Sequence, residues 1–125
     1  MPREAVRTPG IRTAGPYSPG VIASGRLLFV ASQGPVDHAT GERVEGTIED
    51  ATRQVLTNLR TIAESAGGSL ANAVKTTVFL RDMADFAGMN EVYAEFFPEP
   101  RPARTTVQSN LTYPLAIDVV VALDE

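Results

Sequence analysis

Arg104 is the residue of this sequence best placed to hold a small anion. It follows Pro98, Pro100 and Pro102, each of which fixes its own φ and restricts the residue before it, and it begins a strand. A guanidinium held on such a backbone can grip a carboxylate through two parallel hydrogen bonds. The competing reading is a surface arginine, or one paired with Asp118. Asp118 lies in Ala116–Leu123, the most apolar run of the chain. A carboxylate there either points away from the core or is buried beside a compensating cation, and it could orient or deprotonate a water. Tyr17, between Pro16 and Ser18, offers a phenol in a stiff loop, although such a tyrosine more often serves packing.

The remaining candidates are weaker. Lys75 could form a Schiff base, but a lone lysine among threonines reads as a cross-strand charge. His38 sits in a turn and reads as solvated. Ser32, Thr105 and Thr106 have no histidine expected beside them to act as base, so a hydroxyl nucleophile is disfavoured. The sequence contains no cysteine and one histidine, which removes thiolate nucleophiles, disulfides and cysteine or histidine metal clusters; no metal is expected.

The chain has 125 residues and a net charge of −4, the length of one domain, taken as residues 1–125 with a loose segment over 1–14. Its eleven basic residues, all arginine except Lys75, are scattered, so a nucleic-acid backbone is a poor partner. No stretch approaches a membrane span, and the arginine-bearing start lacks the apolar region of a secretory signal, which points to the cytoplasm.

The elements that must position these residues follow from periodicity. Residues 1–19, rich in Pro, Gly, Arg and Thr, read as loop. Gly20–Ala23 and Leu27–Gln33 read as a two-stranded hairpin broken by Ser24-Gly25-Arg26. Thr47 opens a helix whose stripe is Ile48, Ala51, Val55, Leu59, Ile62 and Ala66, widened by Leu56 and Ala63, with Gly67-Gly68 as its stop. Glu49, Arg53, Asn58, Arg60 and Glu64 form its expected solvated face. Val74–Leu80 reads as an inner strand. Asp82 caps a second helix over about 83–97, with Phe86, Met89, Tyr93 and Phe96 on one face. Strands over 104–107 and 116–123 complete a ββ-α-β-α-ββ order, an α+β layer of two helices on one face of a sheet. The other face needs a cover, most simply a second copy of the chain.

Taken in order, Gly15-Pro16-Tyr17, Phe29–Asp37 with Thr40-Gly41-Glu42, Asn58-Leu59, Val74–Asp82, Asp85-Phe86 with Asn90 and Tyr93, and Pro102–Val107 resemble the RidA/YjgF family of reactive-intermediate deaminases. With the strand holding Asp118, the resemblance runs from about Pro16 to Leu123. It implies a chorismate-mutase-like α+β fold with a mixed sheet, and a homotrimer with sites between subunits. It also implies cofactor-free hydrolysis of small 2-imino or 2-enamino acids to 2-oxo acids and ammonia. Position by position, Arg104 matches the carboxylate-holding arginine and Asp118 falls where a glutamate stands near the attacking water. Tyr17 lines the cleft, expected from a neighbouring subunit, and Asn90 lies near it. Thr106 stands where many members have cysteine, its backbone amide helping to position substrate together with that of Ser32. Ala31-Ser32-Gln33 replaces the usual Ser-Gly-Gln, and Asp118 is one methylene shorter than glutamate. The alternatives are a non-catalytic small-ligand-binding or chaperone-like trimer, a deaminase of a larger pathway-specific enamine, and, least supported by charge, an RNA-cleaving enzyme.

Overall fold

Thr47 caps the longest helix as its sequence requires: its side chain accepts the Asp50 backbone N–H at 3.1 Å, and α1 runs Ile48–Ser65. At the other end, Gly67 takes φ 81 and the Gly68 N–H returns to the Ala63 carbonyl at 2.8 Å. That left-handed turn is what the glycine supplies. The structure is a computed structural model and describes residues 3–123. Its strands are β1 (Arg3–Val6), β2 (Gly20–Ala23), β3 (Leu27–Gln33), β4 (Val36–Asp37), β5 (Glu42–Arg43), β6 (Ala73–Leu80), β7 (Ala103–Gln108) and β8 (Leu115–Ala122). The second helix, α2, spans Phe86–Phe96; the turn before it, Met83–Asp85, is 3-10, and Asp82 caps that turn by accepting the Ala84 N–H.

Four strands form the main sheet in the order β3-β8-β6-β7. β8 runs antiparallel to both β3 and β6, whereas β6 and β7 are parallel and joined through α2, which makes the sheet mixed. Both helices cover one face. Val55, Leu56, Leu59 and Ala63 of α1 and Met89, Val92 and Tyr93 of α2 pack there against Val78, Leu80, Ile117, Val119 and Val121, all buried. The α+β architecture of two helices on a mixed sheet is as the sequence predicts. The opposite face presents Leu27, Phe29 and Val107, and Phe29 is 73% exposed, an unusual position for a phenylalanine in a small protein.

Three expectations are corrected. The β2–β3 hairpin does not form, because β2 pairs with β1 while β3 pairs with β8. Gly25, at φ 87, turns the chain between them, and the apolar eight-residue β8 offers seven-residue β3 a partner that four-residue β2 cannot match. The segment expected to be loose over 1–14 begins with strand β1; its Met1 and Pro2 lie outside the described residues. Arg3 anchors that strand, almost fully buried, by donating to the carbonyls of Ala71 and Pro100. An arginine in a Pro- and Thr-rich stretch carries no apolar signal, so periodicity does not find it. Asn58 is buried rather than solvated. Its Nδ2 donates to the Val36 carbonyl at 2.9 Å, and Gln54 donates to its Oδ1, so it straps the β3–β4 connection to α1.

Candidate functional site

The parallel β6–β7 register places Arg104 beside Thr76 on the helix-covered face of the sheet's edge strand. There α2 meets it. Phe86, Asn90 and Tyr93 follow one another at i, i+4 and i+7, one face of a helix, and all three approach the guanidinium. Arg104 Nη1 donates to Asn90 Oδ1 at 2.7 Å. The Arg104 Cζ lies 4.8 Å from the ring centroid of Tyr93, 5.2 Å from that of Tyr17 and 5.6 Å from that of Phe86. Aromatic faces attract a cation without neutralising it.

Tyr17 comes from the same chain. The Ser18 N–H donates to the Pro102 carbonyl at 2.9 Å, Ser18 Oγ donates to the Arg101 carbonyl, and Ser18 bridges Ala103 beside Arg104. This stitch holds the Gly15–Tyr17 loop against β7. It corrects the expectation that Tyr17 reaches the cleft from a neighbour: Tyr17 walls the arginine of its own subunit. Tyr17 Oη accepts the Ala14 N–H at 3.1 Å, so its ring is braced by its own loop. Gly15 passes so close that a Cβ there would stand 3.1 Å from Arg104 Nη2 and 3.5 Å from Asn90 Nδ2.

Burial lowers the Arg104 pKa from the ordinary arginine value, partly offset by the phenols of Tyr93 and Tyr17, and the group stays charged at neutral pH. Burial also pushes the Tyr93 phenol up to about 12, against the opposing effects of its hydrogen bond to Thr76 and the Arg104 charge. Among the described residues Arg104 has no carboxylate partner, and its Nε is buried without a hydrogen-bond acceptor. The Thr106 hydroxyl, two residues along the same strand face, is buried and unpartnered as well. A charged group with spare donors, walled by rings and one neutral amide, can bind a monovalent planar anion.

Asp118 is elsewhere. It pairs in register with Thr77, the residue after Thr76, so it points to the open face of the sheet, where its Oδ1 accepts the Thr77 N–H at 3.0 Å. An Arg104–Asp118 pair within one chain is therefore excluded. Ser32 lies near Asp118 rather than near Arg104: a β-bulge between Val30 and Gln33 sets Ala31 and Ser32 opposite Asp118 across β3–β8, with both residues exposed. The structure thus brings Arg104, Tyr17, Asn90 and Thr106 together and leaves Ser32 and Asp118 as a second group on the other face. Phe86, Tyr93, Thr76 and Gly15 enter the sequence reading only as helix-face, strand and motif residues, not as site residues, because nothing in their types separates them from core and loop positions.

The weaker candidates keep ordinary roles. Lys75 Nζ donates to the Thr76 carbonyl and to Thr77 Oγ1, and His38 is exposed with Nε2 3.3 Å from Gln33 Oε1. A wide groove of about 1070 Å³ beside β1, lined by Arg3, Arg7, Ile11, Glu99 and Pro100, reaches the site only at Tyr17. Among the described residues there is no cluster of three or more His, Asp or Glu side chains suited to a metal, and no helix long and apolar enough to cross a membrane.

The family model for endoribonuclease L-PSP matches residues 8–121. A RutC family protein of Pyrococcus horikoshii is 56% identical over 94 residues, covering 75% of this chain and 74% of that protein. The mitochondrial protein mmf1 of Schizosaccharomyces pombe is 44% identical over 102 residues, 82% of this chain and 61% of its own length. Among solved structures, RidA from an Antarctic Psychrobacter superposes with a TM-score of 0.74 at 33% identity, covering 96% of this chain and 99% of that one.

Proposed function

Since the chain belongs to the endoribonuclease L-PSP family, which includes the RidA and other Rid proteins, we propose that it is a hydrolytic deaminase of reactive 2-imino and 2-enamino acids. The observation that carries this reading is the Arg104 guanidinium, charged, half-buried and without a carboxylate of its own chain to neutralise it. The substrate's carboxylate supplies the missing counter-charge. Arg104 Nη2, unpartnered and not buried, is the donor left for it, Asn90 holds Nη1, and Tyr17 and Phe86 pack against the guanidinium.

The reaction asks little more of the protein. An iminium carbon is already electrophilic, so a water aimed at C2 adds to it, the carbinolamine loses ammonia, and the 2-oxo acid is left. Preorganisation supplies the rate, with no covalent intermediate and no cofactor. Asp118 orients the water, and because it lies on the far face from its own Arg104, it serves the Arg104 of another subunit. A homotrimer that buries the open faces, Phe29 included, brings the two groups together and covers the apolar patch. The Ser32 backbone at the bulge belongs to the Asp118 half of the site.

The separation of the two groups favours one second reading, a trimer that binds carboxylates without turning them over. Generating 2-aminoacrylate or 2-iminobutanoate in place and following its capture by semicarbazide separates the two. A deaminase lowers the captured fraction in proportion to protein concentration. Undiminished capture by protein that still binds a 2-oxo acid selects the binding module. RNA cleavage, which the family's description names, finds neither clustered basic residues nor a second histidine in this sequence.

A further inference from the structure

We propose that Thr76 and Tyr93 are a positioning pair: joined by a buried hydroxyl–hydroxyl hydrogen bond, they fix the orientation of the Arg104 side chain and thereby the carboxylate affinity of the site. The proposal rests on the reading of Arg104 as anchor. Thr76 and Arg104 are register partners on adjacent parallel strands, so their side chains rise side by side from the same sheet face. Tyr93 descends onto them from α2, and its Oη lies 2.7 Å from Thr76 Oγ1, with both residues fully buried. Of the three rings around Arg104, that of Tyr93 is the nearest, and it packs against Phe97 at a centroid distance of 4.5 Å and a tilt of 35°. The chain of contacts closes on itself: strand neighbour to hydroxyl, hydroxyl to ring, ring to guanidinium, and guanidinium back to the strand.

A core that needed only packing would be served as well by valine and phenylalanine, which bring no polar atoms to desolvate. The hydroxyls add direction. They set the tilt of the ring on which the guanidinium lies, while Asn90 sets its rotation about the other edge. The phenol, pushed up to about 12, stays protonated at physiological pH, so the pair adds no negative charge to compete with a bound carboxylate. A long side chain already fixed surrenders less rotamer freedom when its ligand arrives.

Three variants test this: Tyr93→Phe and Thr76→Val each remove the bond while keeping shape, and Thr76→Ser keeps the hydroxyl. The first readout needs no substrate: the ¹⁵N NMR signal of the Arg104 Nε–H. It is expected to stay dispersed in wild type and Thr76→Ser, and to broaden or move toward the position of a free arginine in the other two. The second is affinity for 2-oxobutanoate by calorimetry together with imine-hydrolysis kinetics. Here Kd and KM should rise roughly three- to tenfold in Tyr93→Phe and Thr76→Val, with kcat held within about twofold. Thr52→Val, which removes a fully buried hydroxyl bonded only to the Ile48 carbonyl of α1, controls for stability and should leave all of these unchanged. An unmoved Nε–H signal and unchanged Kd in Tyr93→Phe and Thr76→Val would overturn the proposal, even if both variants melt earlier. Should the wild type hydrolyse no imine, the deaminase reading fails by itself, and the NMR signal still decides the positioning pair.

Discussion

Arg104 and Asp118 stand on opposite faces of one sheet. Consecutive residues of β6 make it so: Thr76 pairs with Arg104 on one side and Thr77 with Asp118 on the other, and successive side chains of a strand point to opposite faces. Two strand spacings separate β8 from β7, roughly 10 Å, before the thickness of the sheet is added. A site needing both groups must draw them from two copies.

Subunit mixing follows directly. Arg104→Lys and Asp118→Asn should each be severely impaired as pure assemblies. Unfolded together at equal amounts and refolded, they should recover activity, since random assembly rebuilds both native groups at about a quarter of the sites. Light scattering of the wild type should return three chains. No recovery in mixed trimers that demonstrably exchange subunits would place both groups in one chain's site or remove Asp118 from the chemistry.

Asn90 accepts from Arg104 without neutralising it, and that neutrality is open to test. Asn90→Asp keeps the geometry of the 2.7 Å contact and adds a charge, making a built-in competitor for the substrate carboxylate. Affinity for a 2-oxo acid should fall roughly tenfold or more, while the melting temperature holds or rises because a half-buried cation has gained a partner. Equal affinity in Asn90→Asp would mean that the ligand does not bind at the guanidinium.

Gly15 is constrained by approach, its φ being unremarkable. A methyl at that position would press within 3.1 Å of Arg104 Nη2, and the guanidinium or the loop must give by a few tenths of an ångström. Gly15→Ala should therefore weaken 2-oxo acid binding about three- to tenfold with little loss of thermal stability, as measured by calorimetry and scanning fluorimetry.

The buried phenol gives a pH prediction with a definite sign. Tyr93 titrates at about 12 when folded against 10.0 when exposed, so folding favours its protonated form. The stabilisation it contributes is complete below pH 10 and is lost as pH rises from 10 through 12, amounting to about 2–3 kcal/mol. Across that window the wild type should lose more stability than Tyr93→Phe, in melts recorded at each pH. Parallel alkaline melts of the two proteins would show that the phenol is not held in a desolvated site.

Much of this was legible in the sequence, and what was not has physical reasons. The stripe from Ile48 to Ala63, the Thr47 cap and the Gly67 stop define α1 because periodicity and capping are local. The inner strands announce themselves as apolar runs. Strand pairing is non-local: nothing in Gly20–Ala23 says that its partner is a polar segment anchored by the buried Arg3, or that β3 prefers β8. Arg104 and Tyr17 could be singled out by residue type and context, and Asn90 only through the family resemblance. The cage around Arg104 could not, because Tyr93 and Phe86 look like core residues and are also core residues. The placing of Asp118 turns on one residue of register between neighbouring strands, which a single sequence does not encode in any short pattern.

The most direct test of the anchor is the catalytic efficiency of Arg104→Lys in imine hydrolysis. Lysine keeps the charge and loses the planar two-pronged donor, so geometry is separated from electrostatics. Losing a charge-assisted contact of this kind costs about 2–4 kcal/mol, which predicts a fall in kcat/KM of roughly 30- to 1000-fold in a protein that still assembles and melts as a folded trimer. If Arg104 serves only to fill the cage between Tyr17, Phe86 and Tyr93, the variant will melt somewhat earlier and turn over as the wild type does. Wild-type kinetics in Arg104→Lys would contradict the account at its centre.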